Sequence, residues 1–111
     1  NTNVELVLGN HDIGCKIKNL KVFDIKKTKN ITLSHEPINL VDKKTFNICG
    51  HYHPKLYLKN NGDKLSFRCF AMDMKKNTLY MPAFGDLTGG YPCEKSFKKW
   101  AIISDKEILE V

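Results

Sequence analysis

The chain has 111 residues, 41% of them hydrophobic and 27% charged, with a formal net charge of +6. That length supports one modest core. No apolar run nears the roughly 18 residues of a membrane span and no signal-peptide pattern opens the sequence, so no membrane partner and a cytoplasmic location are expected.

In chain order, residues 4–8 read as a short apolar strand that ends in Gly9-Asn10-His11-Asp12. Residues 16–29 are lysine-rich. A second β-rich run, 31–33, ends in Ser34-His35-Glu36-Pro37. Glu36-Pro37 is a helix-start signal, and a short helix is expected over 37–44. A third run, 46–48, ends in Gly50-His51-Tyr52-His53-Pro54. Strands over 55–58 and 64–72 flank Asn60-Asn61-Gly62-Asp63, where Asn-Gly signals a hairpin. Another strand is expected over 78–83, followed by a glycine-bearing loop at 84–90. The favoured reading of that loop is a tight structural turn; the alternative is a phosphate cradle. Residues 100–104 and 107–111 flank Asp105-Lys106 as a second hairpin.

The chain has four histidines, and all fall in the three motifs that close the first three strands. Histidine is the commonest protein metal ligand, its neutral ring nitrogen suiting Zn, Mn, Fe and similar ions. Polar residues beyond the carboxyl ends of strands are where α/β folds place function. Three such ends side by side would bring His11, His35, His51 and His53 together. In an extended segment His51 and His53, two apart, would leave the same face. A lone histidine is usually a surface or satisfied core residue; four with this placement favour one shared site.

The ordered set G-N-H-D, a lone histidine, then G-H-x-H resembles the calcineurin-like metallophosphoesterases. A second set, Arg68-Cys69-Phe70, Leu79-Tyr80-Met81-Pro82-Ala83-Phe84-Gly85 and Thr88-Gly89-Gly90, resembles the DNA-ligase-associated phosphoesterase subgroup. The resemblance implies an α/β fold: part of a two-sheet sandwich flanked by helices, this half being strand-rich. It implies two divalent metal ions in the complete enzyme, Mn first, with Fe, Zn or Co as alternatives. Asn10, His35 and His51 would hold the second ion and His53 the first. His11 would face the phosphate, stabilising charge or protonating the leaving oxygen, and Asp12 would bond His11 and fix its tautomer. Two ions about 3.5–4 Å apart can clamp attacking and leaving oxygens and activate water near neutral pH.

The family's earlier D-x-H and G-D-x-x-D blocks do not occur in these 111 residues. The whole span, 1–111, is therefore expected to be the C-terminal half of one metallophosphoesterase domain. It would act with the missing N-terminal half or with a second copy, on a phosphoester that includes nucleic acid as a candidate. The leading function is a metal-dependent phosphoester hydrolase of the phosphodiesterase or nuclease type. The alternatives are a catalytically incomplete metal-binding or interaction module and, more weakly, a basic nucleic-acid binder.

The positive charge rests on lysine, with Arg68 the single arginine. A nucleic-acid surface would produce this, and so would an AT-rich coding bias; the few aromatics among the lysines favour the second. Cys15, Cys49, Cys69 and Cys93 make no C-x-x-C pair, so free thiols are expected, with Cys49 and Cys69 buried.

Overall fold

The computed structural model describes residues 3–12, 20–40, 44–85 and 88–111. Among these, every regular element is a strand: β1 (Glu5–Val7), β2 (Lys21–Phe23), β3 (Ile25–Lys27), β4 (Ile31–Ser34), β5 (Phe46–Cys49), β6 (Pro54–Asn60), β7 (Asp63–Asp73), β8 (Thr78–Tyr80), β9 (Tyr91–Pro92), β10 (Lys98–Ser104) and β11 (Glu107–Glu110). Cys15 and residues 41–43 of the expected helix lie outside the described residues.

β1 and β2 form a small parallel sheet. The other strands make a nine-stranded sheet in the order β11-β10-β7-β8-β5-β4-β3, with β6 and β9 attached beside β7. β7 holds this together. Its first part, Asp63–Arg68, pairs antiparallel with β6, and its second part pairs with β8 on one side and β10 on the other. The Asn61-Gly62 turn that starts it has both φ angles positive, 47° and 87°, as a tight two-residue hairpin demands.

The expected helix-flanked α/β architecture is corrected here: the described residues form an all-β structure with no helix. The parallel strands themselves are present, since β4, β5 and β8 run parallel side by side. Parallel neighbours need long crossovers, and helices usually fill them. In this chain the β5–β8 crossover is instead the long β6–β7 hairpin. The start of the β4–β5 crossover is pinned against the sheet rather than coiled. Ser34 Oγ donates to Glu36 O at 2.6 Å, and Ile38 N donates to Asn47 Oδ1 at 3.1 Å. Ser34 thereby occupies the Glu36 carbonyl, the first acceptor that a helix over 37–44 would use. No described residue of 37–44 is helical, despite the Glu36-Pro37 signal.

Other boundaries move less. The strand expected over 78–83 stops at Tyr80, after which Met81 N still donates to Cys49 O at 2.8 Å. The lysine-rich stretch contains β2 and β3, whose alternation is too short to register as a strand pattern. Lys26 Nζ pairs with Glu5, linking β3 to β1.

The core is small and built from small residues. Cys49, Ala71 and Tyr80 form its centre, with Tyr52, Cys93 and Phe97 packed against them. Cys69, Ala83 and Ala101 are also buried. Cys49, Cys69 and Cys93 are free thiols, and burial pushes Cys49 up to about 11 and Cys69 up to about 12. Among the described residues the largest fully buried side chain is polar: Asn47, at 0% exposure. Its Nδ2 donates to Thr32 O at 3.0 Å and to Ser34 Oγ at 2.9 Å, while its Oδ1 accepts from Ile38. One amide thereby joins β5 to β4 and to the segment that follows β4.

Asn47→Ala would leave these buried partners unmatched. Because each orphaned buried polar group costs on the order of 1–3 kcal/mol, the variant should lose about 2–4 kcal/mol of stability, read from the urea midpoint. A midpoint within error of the parent would show that water replaces the amide without loss.

Candidate active site

β4 and β5 are parallel neighbours in register, Ser34 opposite Cys49, so the residues that follow them emerge together at one edge of the sheet. His35 leaves β4 there, and Gly50-His51-Tyr52-His53 leave β5. Gly50 N donates to His35 O at 2.9 Å, which locks the two exits to each other. β1 belongs to the other sheet, so the three strand ends expected side by side come from two sheets. The Gly9 turn still reaches the site, because the Gly9 backbone lies against the His35 ring.

Asn10, His11, His35, His51 and His53 line one open cavity of about 510 Å³, whose far wall is formed by residues 88–91. His35 Nε2 and His51 Nδ1 face each other at 3.1 Å, with the rings at 74°. The other nitrogen of His51, Nε2, lies 3.7 Å from Glu36 Oε1. Burial, and then the neighbouring His51 ring, hold His35 below the ordinary histidine value, while Glu36 and Asp12 pull it the other way. The first two effects favour the neutral ring.

The segment 51–53 is not extended, so the expected two-residue alternation does not place these histidines. Both lie in the left-handed region, His51 at φ 64° and His53 at φ 52°. Tyr52 N donates back to Gly50 O at 2.7 Å, closing a γ-turn centred on His51. A γ-turn with positive φ is rare and strained, and each such residue costs on the order of 1–3 kcal/mol. The strain is held by neighbours: Gly50 is tied to His35, and His53 O accepts from Tyr91 N at 3.1 Å. Gly90 has to be glycine, because a Cβ there would overlap the His53 carbonyl oxygen.

The expected Asp12–His11 bond does not form. Asp12 Oδ2 accepts from Gly9 N at 3.0 Å, and Asp12 N donates to Gly9 O at 3.0 Å, so the carboxylate closes its own turn. His11 Nε2 lies 3.4 Å from Asn10 Nδ2 instead.

Two imidazoles bound to one ion at about 2.0–2.1 Å and near right angles have nitrogens about 3 Å apart. The His35–His51 pair has that spacing and a neutral-leaning ring, so it fits as two donors to one ion. Among the described residues no group of three His, Cys, Asp or Glu side chains converges on one point, so His53 and Asn10 share the cavity without closing a shell. Glu36 and Tyr91 were not among the expected site residues. Glu36 had a signal, adjacency to His35; Tyr91 had none, because its position depends on pairing with His53.

A Cβ on Gly9 would stand 2.9 Å from His35 Nδ1 and 3.1 Å from Asp12 Oδ2. Gly9→Ala should therefore displace the His35 ring from His51, read by NMR as shifts in the ring resonances of both, with the rest of the spectrum preserved. Unchanged resonances would mean that the Gly9 turn yields rather than the ring.

No family model matches the chain, and no curated protein matches it. Among solved structures it is similar to the crystal structure of Pseudomonas putida nuclease MPE, with a TM-score of 0.79 and 25% sequence identity. The likeness covers 100% of this chain and 55% of that one, so the chain spans about half the neighbour's length.

Proposed function

We propose that this chain carries part of the active site of a metal-dependent phosphoester hydrolase acting on nucleic-acid phosphodiesters. The observation that carries the reading is the His35–His51 pair, nitrogens 3.1 Å apart at adjacent parallel strand ends, in a cavity shared with Asn10, His11 and His53. The likeness to a nuclease supports the same class. His35, His51 and Asn10 would hold one divalent ion and His53 would contribute to a second, with Mn the first candidate. Bound there, such ions neutralise phosphate charge and activate water.

The chain's own residues divide the remaining work. Glu36 faces the outer nitrogen of His51 and favours a proton there, leaving Nδ1 as the donor. His11, which lines the cavity, would give a proton to the leaving oxygen. Asp12 acts on His11 indirectly, by closing the turn that carries it. In this reading residues 1–111 are the C-terminal half of one metallophosphoesterase domain, and further ligands to the first ion come from outside them.

Metal content and turnover separate these roles. In the assembled enzyme His51→Ala should lose Mn as well as activity. His11→Ala should keep its Mn, measured by mass spectrometry, and lose about 10²- to 10⁴-fold in turnover, the range expected for removal of a general acid. Equal metal loss in both variants would overturn the division. The 111 residues alone should bind at most one Mn and cleave no phosphodiester; metal-dependent turnover by the pure chain would overturn the half-site reading.

A further inference from the structure

Four aromatic rings form a ladder from the core to the histidine cavity. Phe97 lies nearly parallel to Tyr80, centroids 5.8 Å apart at 9°. Tyr80 meets Tyr52 at 5.3 Å, and Tyr52 stacks on Tyr91 at 5.8 Å and 29°. All are within the range of favourable aromatic contacts. Tyr52 is anchored at its far end, its hydroxyl donating to Pro92 O at 2.8 Å.

The last ring differs from the rest. Tyr80 is buried at 8%, whereas Tyr91 is 63% exposed and lines the same cavity as the histidines. It is nevertheless held in place. Tyr91 pairs with Pro54 in register, its N–H donates to His53 O, and Gly90 before it fits closely on the His53 backbone. An aromatic face left in water is unfavourable. Here that face is backed by a second ring and tied to His53.

We propose that Tyr91 is a stacking platform for the nucleobase beside the scissile phosphate, a specificity-determining residue of the reaction proposed above, on which this inference rests. One face of the ring is on Tyr52 and the other is available to a flat ligand. The occupant must present a planar group within a short reach of a phosphate at the histidines, which a nucleotide unit does. A base can use this face only when it is splayed from its own stack, so the platform selects unpaired nucleotides. The ring reads no base edge, so the selection is for a base over none rather than for one base over another.

The test is a binding titration without divalent ions, in EDTA at low salt, followed by fluorescence anisotropy. The probes are a labelled oligothymidylate and an abasic phosphodiester oligomer of equal length and charge. The parent chain should bind the oligothymidylate about tenfold more tightly, the scale of one stacked base. Tyr91→Phe should keep that preference. Tyr91→Ala should bind both oligomers equally, with an unchanged circular dichroism spectrum. A preference that survives in Tyr91→Ala, or equal binding of both oligomers by the parent, overturns the proposal. Since no turnover is read, stacking by this chain together with an assembled enzyme that never cleaves would overturn only the hydrolase reading.

Discussion

The structure depends on one buried amide. Asn47 is fully enclosed, and its bonds reach Thr32, Ser34 and Ile38, so β4, β5 and the chain beyond β4 are held at one spacing. A polar group in that position is costly unless fully matched, and no buried side-chain N or O among the described residues lacks a partner. The amide matters to the site because the strands it joins are the ones that release His35 and His51. The spacing between two ring nitrogens is thus inherited from a hydrogen-bond network one turn of chain below them.

Above that network the backbone is strained. His51 and His53 both hold positive φ, and the γ-turn at His51 points its ring nitrogens toward His35 and Glu36 rather than along a strand face. Strain of this kind persists only where the surroundings over-determine it. Gly9 and Gly90 provide close approaches, the first beneath the His35 ring and the second beneath the His53 carbonyl, and Gly50 is tied to His35 O through its N–H. The aromatic ladder supports the same loop from the core side, through Tyr52 between the two histidines.

The charge of the chain is less organised than this site. Lys26 is engaged by Glu5 and lies over the Phe23 ring, Lys64 lies over Tyr57, and Lys99 donates to the carbonyls of Lys95 and Phe97. Such contacts lie at or near the surface, each worth little. Among the described residues they fit a lysine-rich composition spread over the surface better than a single designed track.

The sequence by itself determined the strand ends and their cargo. Three apolar runs closed by histidine motifs, the Asn61-Gly62 hairpin and the burial of Cys49 and Cys69 are all local signals, carried by neighbours within a few residues. The same signals name Asn10, His11, His35, His51 and His53, which line one cavity although their strand ends belong to two sheets. Tertiary structure alone decided the rest. Glu36-Pro37 is a sound helix start, yet Ser34 takes the Glu36 carbonyl that such a helix would use first, and the described residues form an all-β structure in place of the α/β one. The alternation of His51 and His53 is overridden by a γ-turn that only the His35 and Tyr91 contacts can hold. Asp12 closes its own turn instead of bonding His11. Tyr91 enters the site through a strand pairing 37 positions from Pro54, a separation over which no local pattern carries information.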